Sequence, residues 1–299
     1  MAKVVASADV KKQGKNRKRR NFGNALMCTP LVLWVVALII APLLYLLFIS
    51  LMTKGPMGTV KYVFSLESYK MIANPVYLTV LKKSVWIAFM STVLCIALGY
   101  PLAYFIANRK TSKVATIFNT MLMLPFWTCV LVIIYSFVIL LNSSGIINSA
   151  LMALGIIKKP LEMLYTDGAV TIGMIYMLLP FSVMPMYSSL EKMDKTLLEA
   201  SKDLGGSPVK TFFKVTLPLT APGISAAVIL TFIPCIGYYM ITDSLGGGTS
   251  MMLGNVIYNQ FTSARNWPFG ASLSIILAAV ILLMVTIYSK MGGDLDNLA

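Results

Sequence analysis

Six long apolar segments decide what this chain can fold into. None of them contains Lys, Arg, Asp or Glu, and each supplies about the 20 apolar residues that a helix needs to cross a bilayer. They lie at residues 26–51, 84–107, 114–141, 169–190, 219–242 and 271–289. A seventh apolar run, at 145–157, is too short to span and predicts an interfacial or re-entrant helix. The sequence therefore predicts an all-α membrane protein with six transmembrane helices.

The composition argues against an enzyme or a metal protein. Only 12% of the 299 residues are charged, against about 25% in a soluble domain. Histidine is absent, which removes the commonest general base and the commonest metal ligand. The cysteines form no Cys-x-x-Cys pair and each lies in an apolar run, so we expect buried thiols rather than disulfides or a zinc site.

The basic residues indicate how the chain is oriented. Eight of the 25 Lys and Arg residues fall in the first twenty positions, directly before an apolar segment. Such an arm is a topology signal or an anionic-lipid contact, and not a nucleic-acid-binding surface. With six spans, the side that holds both termini carries 17 Lys and Arg residues and the other side carries 8, so the termini are predicted to be cytoplasmic. We predict a basic tail at 1–24, a transmembrane domain at 25–290 and a C-terminal tail at 291–299.

The cytoplasmic loop at 191–218 interrupts the apolar chain with a charged, helical stretch. Asp194 is predicted to cap a short amphipathic helix that runs to Leu204. The pair Gly205-Gly206 predicts a left-handed helix stop.

A second helix is predicted to follow at once. Ser207 is its cap and Pro208 its first residue, and three apolar residues are expected on one side. These are Val209, Phe212 and Phe213. Two uses of such a helix pair stay open, namely lying on the lipid surface or fitting a groove of a partner protein.

This loop resembles the EAA loop of the permease subunits of ABC importers. That family's pattern is Glu-Ala-Ala, three residues, Gly, nine residues and then Ile-x-Leu-Pro. Ser201 replaces the second Ala here and Val215 the Ile. In the family, the loop is a coupling helix that docks in a cleft of the ATPase subunit. The resemblance implies ATPase-coupling roles for Glu199, Ala200, Ser201, Asp203, Gly205, Leu217 and Pro218.

The resemblance extends over most of the chain. The stretches "LMLPFWT", "LGYPLAYFIA", "LLPFSVMPMYSSLEKMDK", "GNVIYNQF" and "NWPFGAS" are similar to PotB-type permease subunits of spermidine/putrescine importers. This chain departs from the family pattern at Cys129, Ile133 and Asn266, where the family often has Asn, Arg and Asp, respectively. The resemblance implies a type I (MetI-like) permease fold in the bacterial cytoplasmic membrane. The implied partners are a second permease chain, two copies of an ATPase and an extracytoplasmic polyamine-binding protein.

The chain lacks its own energy-coupling machinery. No G-x-x-x-x-G-K-[ST] motif occurs, because Val209 stands where "GGSPVKT" would need a Gly before Lys. We therefore expect no cofactor in this chain and ATP bound by the partner ATPase. An ion-coupled carrier would be expected to hold ionisable residues within its spans, and the predicted spans contain none. A membrane scaffold without transport activity is the third alternative.

A polyamine is a flexible polycation, so its path needs carboxylates for the ammonium groups and aromatic faces for cation–π contacts. The candidates are Asp243, Tyr238, Tyr239, Trp127 and Tyr135. The alternative interpretation is that Asp243 simply opens the outer loop "DSLGGG" and that the aromatic residues anchor the membrane interface. A metal chelate or an oxyanion stays open as another cargo.

Overall fold

The computed structural model describes residues 29–30, 33–109 and 113–290, so the predicted tails at 1–24 and 291–299 lie outside the described residues. The first half contains α1 (Ala41–Ser50), the hairpin strands β1 (Thr53–Lys54) and β2 (Val60–Lys61), α2 (Glu67–Ile72), α3 (Pro75–Asn108), α4 (Lys113–Trp127), α5 (Val130–Leu141) and α6 (Ile146–Ala153). The second half contains α7 (Asp167–Lys192), α8 (Thr196–Asp203), α9 (Pro208–Thr211), α10 (Leu217–Leu219), α11 (Ala221–Gly237), α12 (Tyr239–Gly246), α13 (Leu253–Phe261) and α14 (Trp267–Lys290). A π-helical turn, Val36–Ile40, precedes α1, and a second one, Phe212–Thr216, joins α9 to α10.

The described residues contain five segments that are long and apolar enough to span a membrane, and a bent helix pair makes a sixth. The bent pair is Pro208–Leu219 with Ala221–Gly237, which meet at 64°. The predicted number of spans is reached when this pair counts as one. The second span begins earlier than the predicted residue 84, because α3 starts at Pro75. The Asn74 side chain caps this helix by accepting a hydrogen bond from the Val76 amide (3.1 Å).

Two predicted spans are broken rather than continuous. The predicted span 114–141 is interrupted at Thr128 and Cys129, where Cys129 adopts an extended conformation between α4 and α5. The predicted span 219–242 is interrupted at Tyr238, which is also extended and separates α11 from α12. A proline lies in the last turn before each break, where it removes a backbone donor from the helix.

The core forms where α3, α7 and α11 pack against one another. Small residues allow this close approach, as is usual between membrane helices. A Cβ atom on Gly99 would lie 2.8 Å from the Ser182 hydroxyl oxygen, and one on Gly223 would lie 2.6 Å from the Pro185 carbonyl oxygen. These helices therefore hold the loop at 191–218 and the opposite end of the molecule in one packed unit.

Candidate functional site: a coupling loop and an outer cleft

The loop between α7 and α11 begins with the predicted capped helix. The Asp194 carboxylate accepts a hydrogen bond from the Thr196 amide (2.9 Å) at the start of α8. That backbone hydrogen bond favours the charged carboxylate and lowers the pKa of Asp194. The helix ends at Asp203 with Leu204 as its C-cap, as the sequence predicts.

The predicted left-handed stop is confirmed at Gly205, which has a φ of +76°. The Gly206 amide donates to the Ser201 carbonyl and the Gly205 amide donates to the Lys202 carbonyl, both at 2.8 Å. This is the Schellman pairing, which satisfies the last carbonyl groups of a helix. The chain is thereby turned sharply away from α8.

The second predicted helix starts as expected, and its apolar side is only partly covered. Ser207 accepts a hydrogen bond from the Lys210 amide (3.3 Å), and Pro208 is the first residue of α9. Of the three apolar residues predicted to share one side, Phe212 lies against α3, whereas Val209 and Phe213 are exposed. The rings of Phe212 and Phe213 still meet edge to face, with centroids 5.1 Å apart, so the predicted apolar side is covered only at Phe212.

A hydroxyl pair fixes the angle between the two short helices. Ser201 Oγ and Thr211 Oγ1 lie 2.8 Å apart. A Cβ atom on Gly206, between them in sequence, would lie 2.7 Å from Ser201 Oγ, so a side chain there would push the helices apart. Ser201 is one of the two residues that depart from the EAA pattern, and no sequence motif indicates Thr211 as its partner.

The exposed side of the loop combines carboxylates with an apolar cleft. Glu199, Ala200, Asp203 and Gly205 are exposed, and Leu204 is 89% exposed. A cleft of about 540 Å³ opens between α8 and the beginning of the fifth span. It is lined by Leu197, Ala200, Ser201, Leu204, Gly206, Lys210, Lys214, Val215, Pro218 and Leu219. An exposed apolar side chain beside an open cleft is typical of a surface on which another protein docks.

Phe212 connects the loop to the spans. Its ring meets those of Tyr100 and Tyr104 on α3 edge to face, with centroids 5.7 and 6.2 Å apart. The Tyr100 hydroxyl lies 2.9 Å from Thr220 Oγ1, a buried contact at the 64° bend. Leu217 packs into the same core cluster. The loop is thus in direct contact with α3 and with the fifth span.

The far end of the fifth span carries a second group of predicted residues. Asp243 is exposed on α12, and within the described part of the chain its carboxylate has no hydrogen-bond or salt-bridge partner. Tyr239, one turn earlier on the same helix face, stacks in parallel on Tyr258 of α13, with centroids 4.3 Å apart and an angle of 10° between the rings. Tyr258 lies in "GNVIYNQF", a stretch whose only signal in the sequence is the resemblance, so its pairing with Tyr239 is not predictable from the sequence.

The other predicted path residues lie in surroundings that differ from that of Asp243. Tyr238 packs against the main core cluster, because the helix break at this residue turns it inward. Trp127 is 81% exposed at the end of α4, and Tyr135 is 63% exposed on α5. Among the described residues, no group of three or more His, Cys, Asp or Glu side chains is arranged to hold a metal ion.

Comparisons with known proteins agree with this geometry. Residues 95–291 match the family described as "Binding-protein-dependent transport system inner membrane component". The spermidine/putrescine transport system permease protein PotB of Salmonella typhimurium (strain SL1344) is 42% identical over 92% of this chain and 96% of its own length. The PotB protein of Haemophilus influenzae is 37% identical over 88% of this chain and 92% of its own.

The fold is also found among solved structures. A crystal structure of a bacterial ABC transporter involved in the import of the acidic polysaccharide alginate contains a chain that matches with a TM-score of 0.75 at 16% identity, over 91% of this chain and 96% of that one. The predicted type I importer fold is confirmed. This chain belongs to the family of binding-protein-dependent transport system inner membrane components, the multi-pass permease subunits of ABC importers, which are not themselves enzymes.

Proposed function

We propose that this chain is the permease subunit of an ATP-driven importer of polyamines such as spermidine and putrescine. The observation that carries the proposal is similarity over nearly the whole chain to spermidine/putrescine permeases, at up to 42% identity. The description of the matching family supports an inner-membrane protein that works with a binding protein. The chain would work with a second permease chain, two ATPase copies and an extracytoplasmic polyamine-binding protein.

The coupling loop supports an ATPase as the energy source. Its two helices are set at a fixed angle by the Schellman turn and by the Ser201–Thr211 contact. The exposed side of α8 and the neighbouring cleft offer a docking surface on the predicted cytoplasmic side. In the proposed mechanism, closure of the ATPases displaces α8, and Phe212 transmits the displacement to α3 and the fifth span.

The outer cleft supports a cationic cargo. The Asp243 carboxylate supplies charge for an ammonium group, and the stacked rings of Tyr239 and Tyr258 offer aromatic surface for the methylene chain and for cation–π contact. Asp243 also lines a shallow cleft with Gly247, Ser250 and Asn259. A neutral cargo would gain nothing from an unpaired carboxylate at this position.

The test is uptake of labelled spermidine into vesicles that hold the full complex. Asp243→Asn keeps the shape but removes a charge-assisted contact worth ~1.5–3 kcal/mol, so uptake at sub-saturating spermidine should fall by about tenfold or more. Tyr239→Phe keeps the ring and should be milder. Glu162→Gln, which removes another exposed carboxylate from a predicted outer loop, is the matched control and should leave uptake unchanged.

The outcomes separate the alternatives. Uptake by the Asp243→Asn complex equal to that of wild type would remove Asp243 from the path, and increased uptake of an anionic solute would point to an oxyanion cargo. Spermidine uptake that continues with a non-hydrolysable ATP analogue inside the vesicles would contradict ATP coupling and favour an ion-coupled carrier. A binding assay with the polyamine-binding protein alone checks that its affinity is the same in all arms.

A further inference from the structure

Lys83 holds an unexpected position for a basic residue on the predicted extracytoplasmic side. Its ammonium nitrogen lies 2.9 Å from Asp167 Oδ1 and 2.8 Å from the Thr249 carbonyl oxygen. Asp167 is the first residue of α7, and it also accepts a hydrogen bond from the Ser250 hydroxyl. The ammonium group is thus bound by one carboxylate and one backbone carbonyl, which come from two separate parts of the chain.

The Thr249 carbonyl belongs to a loop, residues 247–251, that forms part of the cleft around Asp243. Tyr165 fixes this loop from one side, because its amide donates to the Leu245 carbonyl (2.8 Å) and its carbonyl accepts from Thr249 Oγ1 (2.6 Å). Tyr165 has a φ of +62°, a conformation that non-glycine residues adopt only where the surroundings impose it. A Cβ atom on Gly247 would lie 2.6 Å from the Tyr165 ring, so the loop and the ring are in close contact.

Lys83 therefore ties down the loop that borders the candidate cargo residue Asp243. The pair is accessible to solvent, with 30% of the Lys83 side chain and 55% of the Asp167 side chain exposed. Exposed ion pairs contribute little net stability, so a competing cation can exchange with the lysine. A lysine side chain presents a primary ammonium group on a chain of four carbons, which is the chemistry of one end of a polyamine.

We infer that Asp167 and the Thr249 carbonyl form an outer binding site for an alkylammonium group, and that Lys83 occupies this site until the cargo displaces it. Displacement detaches the loop from α3, while the hydrogen bonds of Tyr165 and Ser250 stay in place, and the loosened loop opens the cleft at Asp243. The inference rests on the proposed function, since only a cationic cargo competes with a lysine. The alternative is that Lys83 and Asp167 are a structural clasp with no part in cargo binding.

The two explanations predict different directions for the changes that two substitutions cause in the apparent KM for spermidine. Lys83→Met vacates the site and removes the competitor, so the apparent KM for spermidine should fall by about threefold or more. Asp167→Asn removes the carboxylate that the cargo needs, so the KM should rise by about threefold or more. A structural clasp requires both substitutions to act in the same direction. Lys82→Met, which removes the neighbouring exposed lysine, is the charge control and should leave the KM unchanged.

A second measurement keeps the ion pair intact and covers the case that Lys83→Met fails to assemble. Gly248 has open space around it, so Gly248→Cys is a suitable label site in a chain that also carries Cys129→Ser. Spermidine should accelerate thiol labelling of this loop when Asp167 is present and should have no effect with Asp167→Asn. Labelling that does not respond to spermidine overturns the inference.

The failure of this inference is distinguishable from that of the proposed function. Shifts of KM in the same direction, or none at all, in a complex that imports spermidine would overturn the binding site alone. A wild-type complex that imports no spermidine would refute the proposed function, and this inference with it.

Discussion

At the scale of single residues, Gly205 determines the direction in which the chain leaves α8. Its φ of +76° is in the left-handed region, and no heavy atom lies within 4 Å of the position that a Cβ atom would take. A side chain at this position would therefore meet no clash, and the cost of a substitution would come from the backbone alone. The direction of the chain between α8 and α9 therefore depends on the left-handed conformation of Gly205.

Gly205→Val should stop ATP-driven transport while the chain still reaches the membrane. A branched residue in the left-handed region is strained by ~1–2 kcal/mol, and relief of that strain would turn α8 away from its docking direction. Gly205→Asn is the matched control, because Asn tolerates this conformation, and it should retain most of the uptake. Wild-type uptake by the Val variant, with the ATPase still copurifying, would contradict the role of this loop.

Ser201→Ala should loosen the helix pair even though it restores the second Ala of the EAA pattern. It removes the hydrogen bond to Thr211, which is worth ~0.5–1.5 kcal/mol, and leaves a buried hydroxyl without that partner. Hydrogen exchange of the amides at 200–211 should become faster by a few fold. The double variant with Thr211→Val should show less than the sum of the two single effects; strict additivity would mean that the pair is not coupled.

At the scale of elements, the fifth span is assembled from pieces rather than from one straight helix. A π-helical turn, a 64° bend and an extended residue at Tyr238 divide it between the coupling loop and the outer cleft. Phe212 lies in the first of these joints, against Tyr100 and Tyr104. Interruptions of this kind suit a span that must rearrange around a path.

Phe212→Ala should uncouple ATP hydrolysis from transport. Loss of the ring removes the two edge-to-face contacts between the loop and α3, each worth ~0.5–1.5 kcal/mol beyond the area that it buries. We expect spermidine uptake to fall well below wild type while the ATPase still copurifies and hydrolyses ATP. Val209→Ala removes an exposed side chain of the same loop and serves as the control. Equal uptake in the two variants would remove Phe212 from the transmission path.

At the scale of the whole molecule, the two candidate surfaces lie at opposite ends of the fifth span. The coupling loop precedes α11, and the Asp243 cleft follows it. The excess of Lys and Arg on the coupling-loop side predicts that this loop is cytoplasmic and that the cleft is outside.

An impermeant thiol reagent applied from outside should therefore label Gly248→Cys and not Lys202→Cys. Both positions are exposed, so the difference should report only the side of the membrane. Cys129 is exposed and must be replaced by Ser in both chains. Permeabilised cells give the control, because both thiols should then react. Labelling of Lys202→Cys alone in intact cells would invert the topology.

The sequence by itself determined the features that local physics controls. Runs of apolar residues without charges predict spans, and Asp194, Gly205 and Ser207-Pro208 predict where the loop helices begin and end. Helix caps and left-handed stops depend on residues within a few positions of one another. The structure confirms these helices within one residue, including the positive φ at Gly205.

Only the tertiary structure decided where the spans break and which side chains meet. Tyr238 and Cys129 lie in continuous apolar stretches, so hydropathy alone predicts unbroken helices at both positions. Three contacts join residues that are at least 19 positions apart in sequence. They are the stacking of Tyr239 on Tyr258, the packing of Phe212 on Tyr100 and the ion pair of Lys83 with Asp167. Such contacts depend on how whole helices pack, because hydropathy and capping report only the neighbourhood of each residue.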